Sequence, residues 1–158
     1  MREKRAGILL PSLTVSLLAF GTSAADESVE ANALAWFKDV YAKAFVEGHE
    51  DFLDHYAEPM HFVIGSDVRV LDREALGQVI DEVYVQPLVA EGWMTSSLIT
   101  VDVEALGPNS AKFTAAWALL DDSGRNVIGC EAPEWHYVVV HNGERWQIIT
   151  EVEGGCPG

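Results

Sequence analysis

Apolar residues recur at spacings of three and four through "VEANALAWFKDVYAKAFVEG", where Leu34, Phe37, Val40, Tyr41, Ala44 and Phe45 make one stripe. That periodicity predicts an amphipathic helix, with Gly48 as its C-terminal stop. "HEDFLDHYA" predicts a second, short helical piece carrying Phe52, Leu53 and Tyr56, its acids in the first turn where the helix dipole favours them. Pro59 prevents its continuation. The pattern then changes to two short strand-like runs, "MHFVIG" and "VRVL", joined by a hairpin at Gly65-Ser66-Asp67. Asp72 can cap a third helix, "REALGQVIDEVYVQPLVAEG", whose Leu76, Val79, Ile80 and Val83 share a face. Pro87 should end or bend it.

From Trp93 onward the texture is β-rich: "SSLITVDVEAL", "AKFTAAWALL", "NVIGCEAPEWHYVVV" and "RWQIITEVE" are separated by the turn clusters "GPNS", "DDSGR" and "HNGE". The order predicts an α+β domain, three helices and a short β-hairpin packed on a four-stranded antiparallel meander. Asn142-Gly143 suits a type I′ turn, whose two central residues both need positive φ. If those two residues are the loop, paired residue numbers sum to about 285 and Cys130 falls opposite position 155. Cys156 is one step away, and a bulge at Pro133 would shift the pairing by that step. A Cys130–Cys156 disulfide is therefore expected; a redox-active pair would instead call for CxxC spacing.

The N-terminus changes the picture of where the chain works. Arg2, Lys4 and Arg5 precede an apolar stretch from Ala6 to Phe20 and small residues at Thr22, Ala24 and Ala25. This predicts a signal peptide over residues 1–25, cleaved after Ala24 or Ala25, and a periplasmic or secreted product. The apolar stretch, interrupted by Pro11, is shorter than the roughly 20 residues that span a bilayer. Composition, 49% hydrophobic and 22% charged, suits one globular domain, placed at 29–153 with a tail at 154–158. Cleavage after Ala25 removes three basic residues and Glu3, so the net charge of −15 becomes −17. Nucleic acid and, after cleavage, anionic membranes are excluded as partners, since both bind cationic patches.

The order helix, short helix ending in "YAEP", strand, hairpin, "REALGQVI" helix and meander ending in "GERWQIITEVE" resembles the NTF2-like superfamily, and within it the SnoaL-like proteins. The resemblance implies a cone-shaped barrel in which a bent sheet wraps the long helix around a pocket. The superfamily hosts isomerases, dehydratases, hydrolases, cyclases and non-catalytic members, so function must be argued from residues. Against the ketosteroid isomerase branch, Tyr41 matches the oxyanion tyrosine and His136 falls near the second oxyanion donor, while the base position is Ile64, which cannot accept a proton. The acid-flanked arginine of limonene-epoxide-hydrolase-like members is absent; Arg69 and Arg73 lie elsewhere.

Within such a cone, alternation puts Met60, Phe62 and Ile64 on one strand face and His61 and Val63 on the other. His61 is then a surface or inter-strand residue. His136 shares a face with Val138 and Val140, opposite Trp135, Tyr137 and Val139, and both faces are apolar enough to be covered. Phe113, Ala115, Trp117 and Leu119 form another apolar row, suited to core or pocket. Glu131 and Glu134 flank Pro133 and read as solvated edge charges. Tyr41 and His136 are the candidate catalytic residues; Trp36, Phe62, Ile64 and Trp117 are the candidate ligand-lining residues. The five histidines have no metal-ligand spacing, and no nucleophile elbow, phosphate loop or cofactor fingerprint is present, so neither metal nor cofactor is expected. An apolar lining without a matched acid/base pair favours binding of a small apolar or mixed ligand. An isomerase or dehydratase using Tyr41 and His136 is the alternative, ahead of a homodimeric adaptor paired through its outer sheet face.

Overall fold

The computed structural model describes residues 24–47 and 50–156. The expected signal peptide lies outside the described residues as far as residue 23, and so does Gly48. A helical segment opens the domain: α1 (Ala24–Trp36) runs into a π-turn at Phe37–Tyr41 and then α2 (Ala42–Glu47). The π-turn carries an extra residue per turn, which re-phases the stripe. Ala33, Phe37, Tyr41, Ala42 and Ala44 are buried, while Val40, expected on the same face, is 43% exposed. Among the described residues no helix is long and apolar enough to cross a membrane.

The "HEDFLDHYA" segment is a 3-10 turn, Glu50–His55, rather than an α-helix, and Tyr56 already belongs to β1 (Tyr56–Ile64). Pro59 therefore sits inside a strand, preceded by a cis peptide bond. It does so at the irregular stretch where β1 leaves its regular ladder, the place where a residue without an N–H is tolerated in a sheet. β1 and β2 (Asp67–Leu71) form the expected hairpin, with Ile64 opposite Asp67 and Gly65 at φ +57° supplying the positive φ of the turn. Asp72 caps α3 (Arg73–Ile80), its carboxylate accepting from the Ala75 N–H at 2.9 Å. Helical conformation then passes Pro87 without a break: a π-turn, Asp81–Val85, directly precedes α4 (Gln86–Ala90), which carries the proline near its start.

β3 (Thr95–Gly107), β4 (Ser110–Leu120), β5 (Glu134–His141) and β6 (Trp146–Gly155) form the expected antiparallel meander. The hairpin does not merely pack on it. β1 pairs parallel with β6, giving one six-stranded sheet in the order β2-β1-β6-β5-β4-β3. Residues 126–133, read from sequence as strand, are irregular, because Asn126 and Pro133 interrupt the run from either side. The final turn is also longer than expected. His141 pairs with Trp146, and Asn142 has negative φ; its carboxamide oxygen accepts from the N–H groups of Glu144 and Arg145, while Gly143 alone is left-handed. Cys130 and Cys156 are bonded as expected, 5.9 Å apart at Cα.

One face of this sheet is the core. Phe113, Ala115, Trp117 and Leu119 of β4 and Trp135, Tyr137 and Val139 of β5 are buried against the first helical segment, with Phe37 stacked on Phe113 at 4.6 Å. His61, on the other face of β1, is exposed.

Candidate functional site

Two helical segments and the four inner strands of the sheet close around a cavity of about 50 Å³. Its floor is buried: Tyr41 from the first π-turn, Tyr56 from β1, Trp117 and Leu119 from β4, Trp135 and Tyr137 from β5, and Glu151 from β6. Its rim is half-exposed and includes Phe45, Phe52, Tyr84, Leu88 and Trp93. Both π-turns deliver a tyrosine to it, Tyr41 and Tyr84. All four tyrosines of the chain line this one cavity.

The polar atoms form a directed line. The Tyr56 hydroxyl donates to Glu151 Oε2 at 2.7 Å, so the Tyr41 hydroxyl, 2.9 Å from Tyr56, donates in turn to the Tyr56 oxygen. Tyr137 lies close enough to act on the Tyr41 hydroxyl. Glu151 is 5% exposed, and no Lys or Arg among the described residues pairs with it. Burial raises its pKa to about 7, against which the Tyr56 hydrogen bond works in the lowering direction. Burial likewise pushes Tyr41, Tyr56, Tyr84 and Tyr137 upward, so these phenols stay neutral donors through physiological pH. Among the described residues the Tyr84 hydroxyl and the Trp117 indole N–H are buried outside regular hydrogen-bond geometry, with Trp135 close enough to act on Tyr84 and Trp117 close enough to act on Tyr137.

Such an arrangement has defined chemical capacities. A carboxyl poised near neutrality can accept or give a proton within the physiological range. Neutral phenols can donate to an oxygen on a bound molecule. Aromatic rings make most of the cavity's walls. Among the described residues no group of three or more His, Cys, Asp or Glu side chains is gathered to hold a metal ion.

Of the expected site residues, Tyr41 and Trp117 line the cavity. Trp36 stacks on Tyr41 at 5.9 Å and backs it from outside the lining. Phe62 is buried with its ring 5.8 Å from Tyr84, and Ile64 is half-buried at the end of β1; both support the wall without reaching the cavity. His136 lies on the opposite face of β5 from Trp135 and Tyr137, its Nδ1 3.1 Å from the Thr114 hydroxyl. A Tyr41–His136 pair at the pocket floor therefore does not form, and Tyr56 and Glu151 take that place beside Tyr41.

Glu151 was hidden by a β-bulge. Ile148 faces inward, so strict alternation along β6 would turn residue 151 outward. The ladder instead runs from Val139–Ile148 to Val138–Thr150, leaving Ile149 extra and bringing Glu151 inside opposite Tyr137. In the sequence Glu151 is one acid in "QIITEVE", which carries no sign of burial.

Residues 27–155 match the family model described as NTF2-like protein (DUF6841). Solved structures share the fold at low identity. One is an NTF-2 like protein of unknown function from Shewanella oneidensis: 13% identical, TM-score 0.56, covering 77% of this chain and 96% of that one. Another, from Xanthomonas campestris, is provisionally named a calcium/calmodulin dependent protein kinase II association domain: 18% identical, TM-score 0.57, covering 91% and 99%. A third, from Novosphingobium aromaticivorans, is provisionally named a scytalone dehydratase: 11% identical, TM-score 0.57, covering 82% and 87%. Comparison with curated proteins gives no match.

Proposed function

The chain belongs to the NTF2-like family DUF6841, and on that premise we propose that it binds a small molecule, largely apolar with one polar group, in the cavity above Glu151 and without a cofactor. One observation carries the reading: the floor of an aromatic cavity holds a buried carboxyl with a single protein hydrogen bond. Holding that carboxyl there costs about 3 kcal/mol when it ionises, from the displacement of its pKa to about 7. A packing role would be served better by an apolar side chain. The rings of Trp93, Trp117 and Trp135 report on occupancy, so a fluorescence titration with small organic molecules tests it. Saturable quenching that Trp117→Phe alters is expected; a response that no compound saturates would end the reading.

A second reading is favoured by the same carboxyl's neutral pKa: an isomerase- or dehydratase-type reaction with Glu151 as base, the Tyr41–Tyr56 line holding it, and the Tyr84 hydroxyl as donor to the developing oxyanion. It predicts deuterium exchange at carbon next to a carbonyl in a bound ketone, followed by NMR and lost in Glu151→Gln. Wild-type protein that binds the ketone without exchange would leave binding alone.

Localisation and assembly follow separately. We infer export, supported by the basic and apolar N-terminus and by the Cys130–Cys156 bond, which persists in oxidising compartments; N-terminal sequencing of the periplasmic or secreted product should begin at Ala25 or Asp26. We infer homodimer formation through the outer sheet face, where Val68 and Val70 are each 64% exposed beside His61 and Val63. Sedimentation at micromolar concentration should give twice the monomer mass, reduced by Val70→Lys. A wild-type monomer at that concentration would remove both this interface and the adaptor role.

A further inference from the structure

We propose that the cavity floor recognises a small organic cation, an alkylammonium head group, seated between the Glu151 carboxylate and the faces of the surrounding aromatic rings. The inference deepens the reading of the cavity as a ligand site and rests on it.

The lining contains one charged side chain and no Lys, Arg or His. Glu151 Oε2 accepts from Tyr56, which leaves Oε1 without a protein partner among the described residues. A carboxylate removed from water and left unpaired is strongly disfavoured, and a cation is the partner that relieves it most. A neutral apolar guest would leave that penalty in place, and an anion would add repulsion to it.

The rest of the lining is suited to the same guest. Tyr41, Tyr56, Tyr84, Tyr137, Trp117 and Trp135 crowd around the carboxyl from the helices and from three strands. Tyrosine and tryptophan faces attract ammonium ions through their ring quadrupoles, most strongly where the site is desolvated. Alkylated ammonium gains most, because its methyl groups fill apolar space while carrying the charge. The cavity, about 50 Å³, is a third of the ~150 Å³ that accommodates benzene. It seats the charged centre with a methyl or two of the head group, the remainder and any longer tail lying among the half-exposed rim side chains at Leu88 and Trp93. A chain of net charge −15 also draws cations toward its surface.

Protonation of Glu151 should oppose binding, because the neutral acid offers no charge. The titratable groups facing Glu151 are Tyr56 from β1, Tyr41 and Tyr84 from the π-turns and Tyr137 from β5, all held neutral by burial. Two more act on those tyrosines: His55, its ring 6.2 Å from Tyr41, and Glu153, which acts on Tyr84.

The test is titration of the protein with trimethylammonium, tetramethylammonium and the neutral tert-butanol at constant ionic strength, read by tryptophan fluorescence and by ligand NMR line widths. At pH 8 a methylammonium probe is expected to bind at least tenfold tighter than tert-butanol and to weaken roughly tenfold or more by pH 5.5. Glu151→Gln should erase both the cation preference and the pH dependence. The wild-type pH profile stands as a test by itself where that variant fails to fold. Equal affinity for cation and alcohol, or cation binding that survives Glu151→Gln, would overturn the cation assignment and keep the cavity as a small-molecule site. Binding of none of the probes would overturn the cavity reading as well.

Discussion

Glu151 sets the sign of the protein's response to pH. Its folded pKa, raised by burial to about 7, lies above the unfolded value near 4.5, so the folded state holds the proton more tightly. Stability from this group is full below about pH 4.5 and falls as pH rises through 7, by about 3 kcal/mol in all. Chemical denaturation at pH 5 and pH 8 should show that loss in the wild type, and Glu151→Gln should flatten it. An unchanged slope in the variant would mean that other groups carry it. This residue could not be read from the alternation of its strand, because the bulge at Ile149 exchanged the faces beyond it. Tyr41 could be read, since a helical stripe survives a π-turn at its most buried positions. His136 was misjudged as a site residue for the reverse reason: its strand is regular there, and regular alternation turns it away from the Trp135 and Tyr137 face.

At the scale of the elements, the type and order of helices and strands were legible from periodicity, and the irregularities were not. Two π-turns, a 3-10 turn and five ladder shifts among the described residues each depend on contacts distant in sequence, which a local period cannot register. Two local devices have measurable weight. Asp72→Ala removes the α3 cap and should lower stability by about 1 kcal/mol, read as a shift in the urea midpoint. Gly154 lies under the Trp135 ring, where an added Cβ would fall 2.2 Å from ring carbons. Gly154→Ala must therefore displace the ring or the strand, at roughly 1–3 kcal/mol, and the displaced indole should shift the intrinsic fluorescence spectrum. A variant with wild-type midpoint and spectrum would show that β6 yields there without strain.

For the whole molecule, the Cys130–Cys156 bond joins the irregular loop before β5 to the end of β6 across a sequence separation of 26. Loop closure of that length restricts the unfolded chain, and reduction should lower stability by roughly 3 kcal/mol, measured by thermal unfolding with and without reductant. The strand order has a further consequence, in time rather than in energy. β6, the last strand made, lies between β1 and β5, and Tyr56 of β1 must wait for Ile148 to find its ladder partner. At about 5–20 residues per second, that wait lasts several seconds to nearly twenty. The carboxyl and the six-stranded sheet are complete only once β6 has been made. Until then the β1–β2 hairpin has no sheet to join, so the slowest contact of the fold is also the one that unites its two halves.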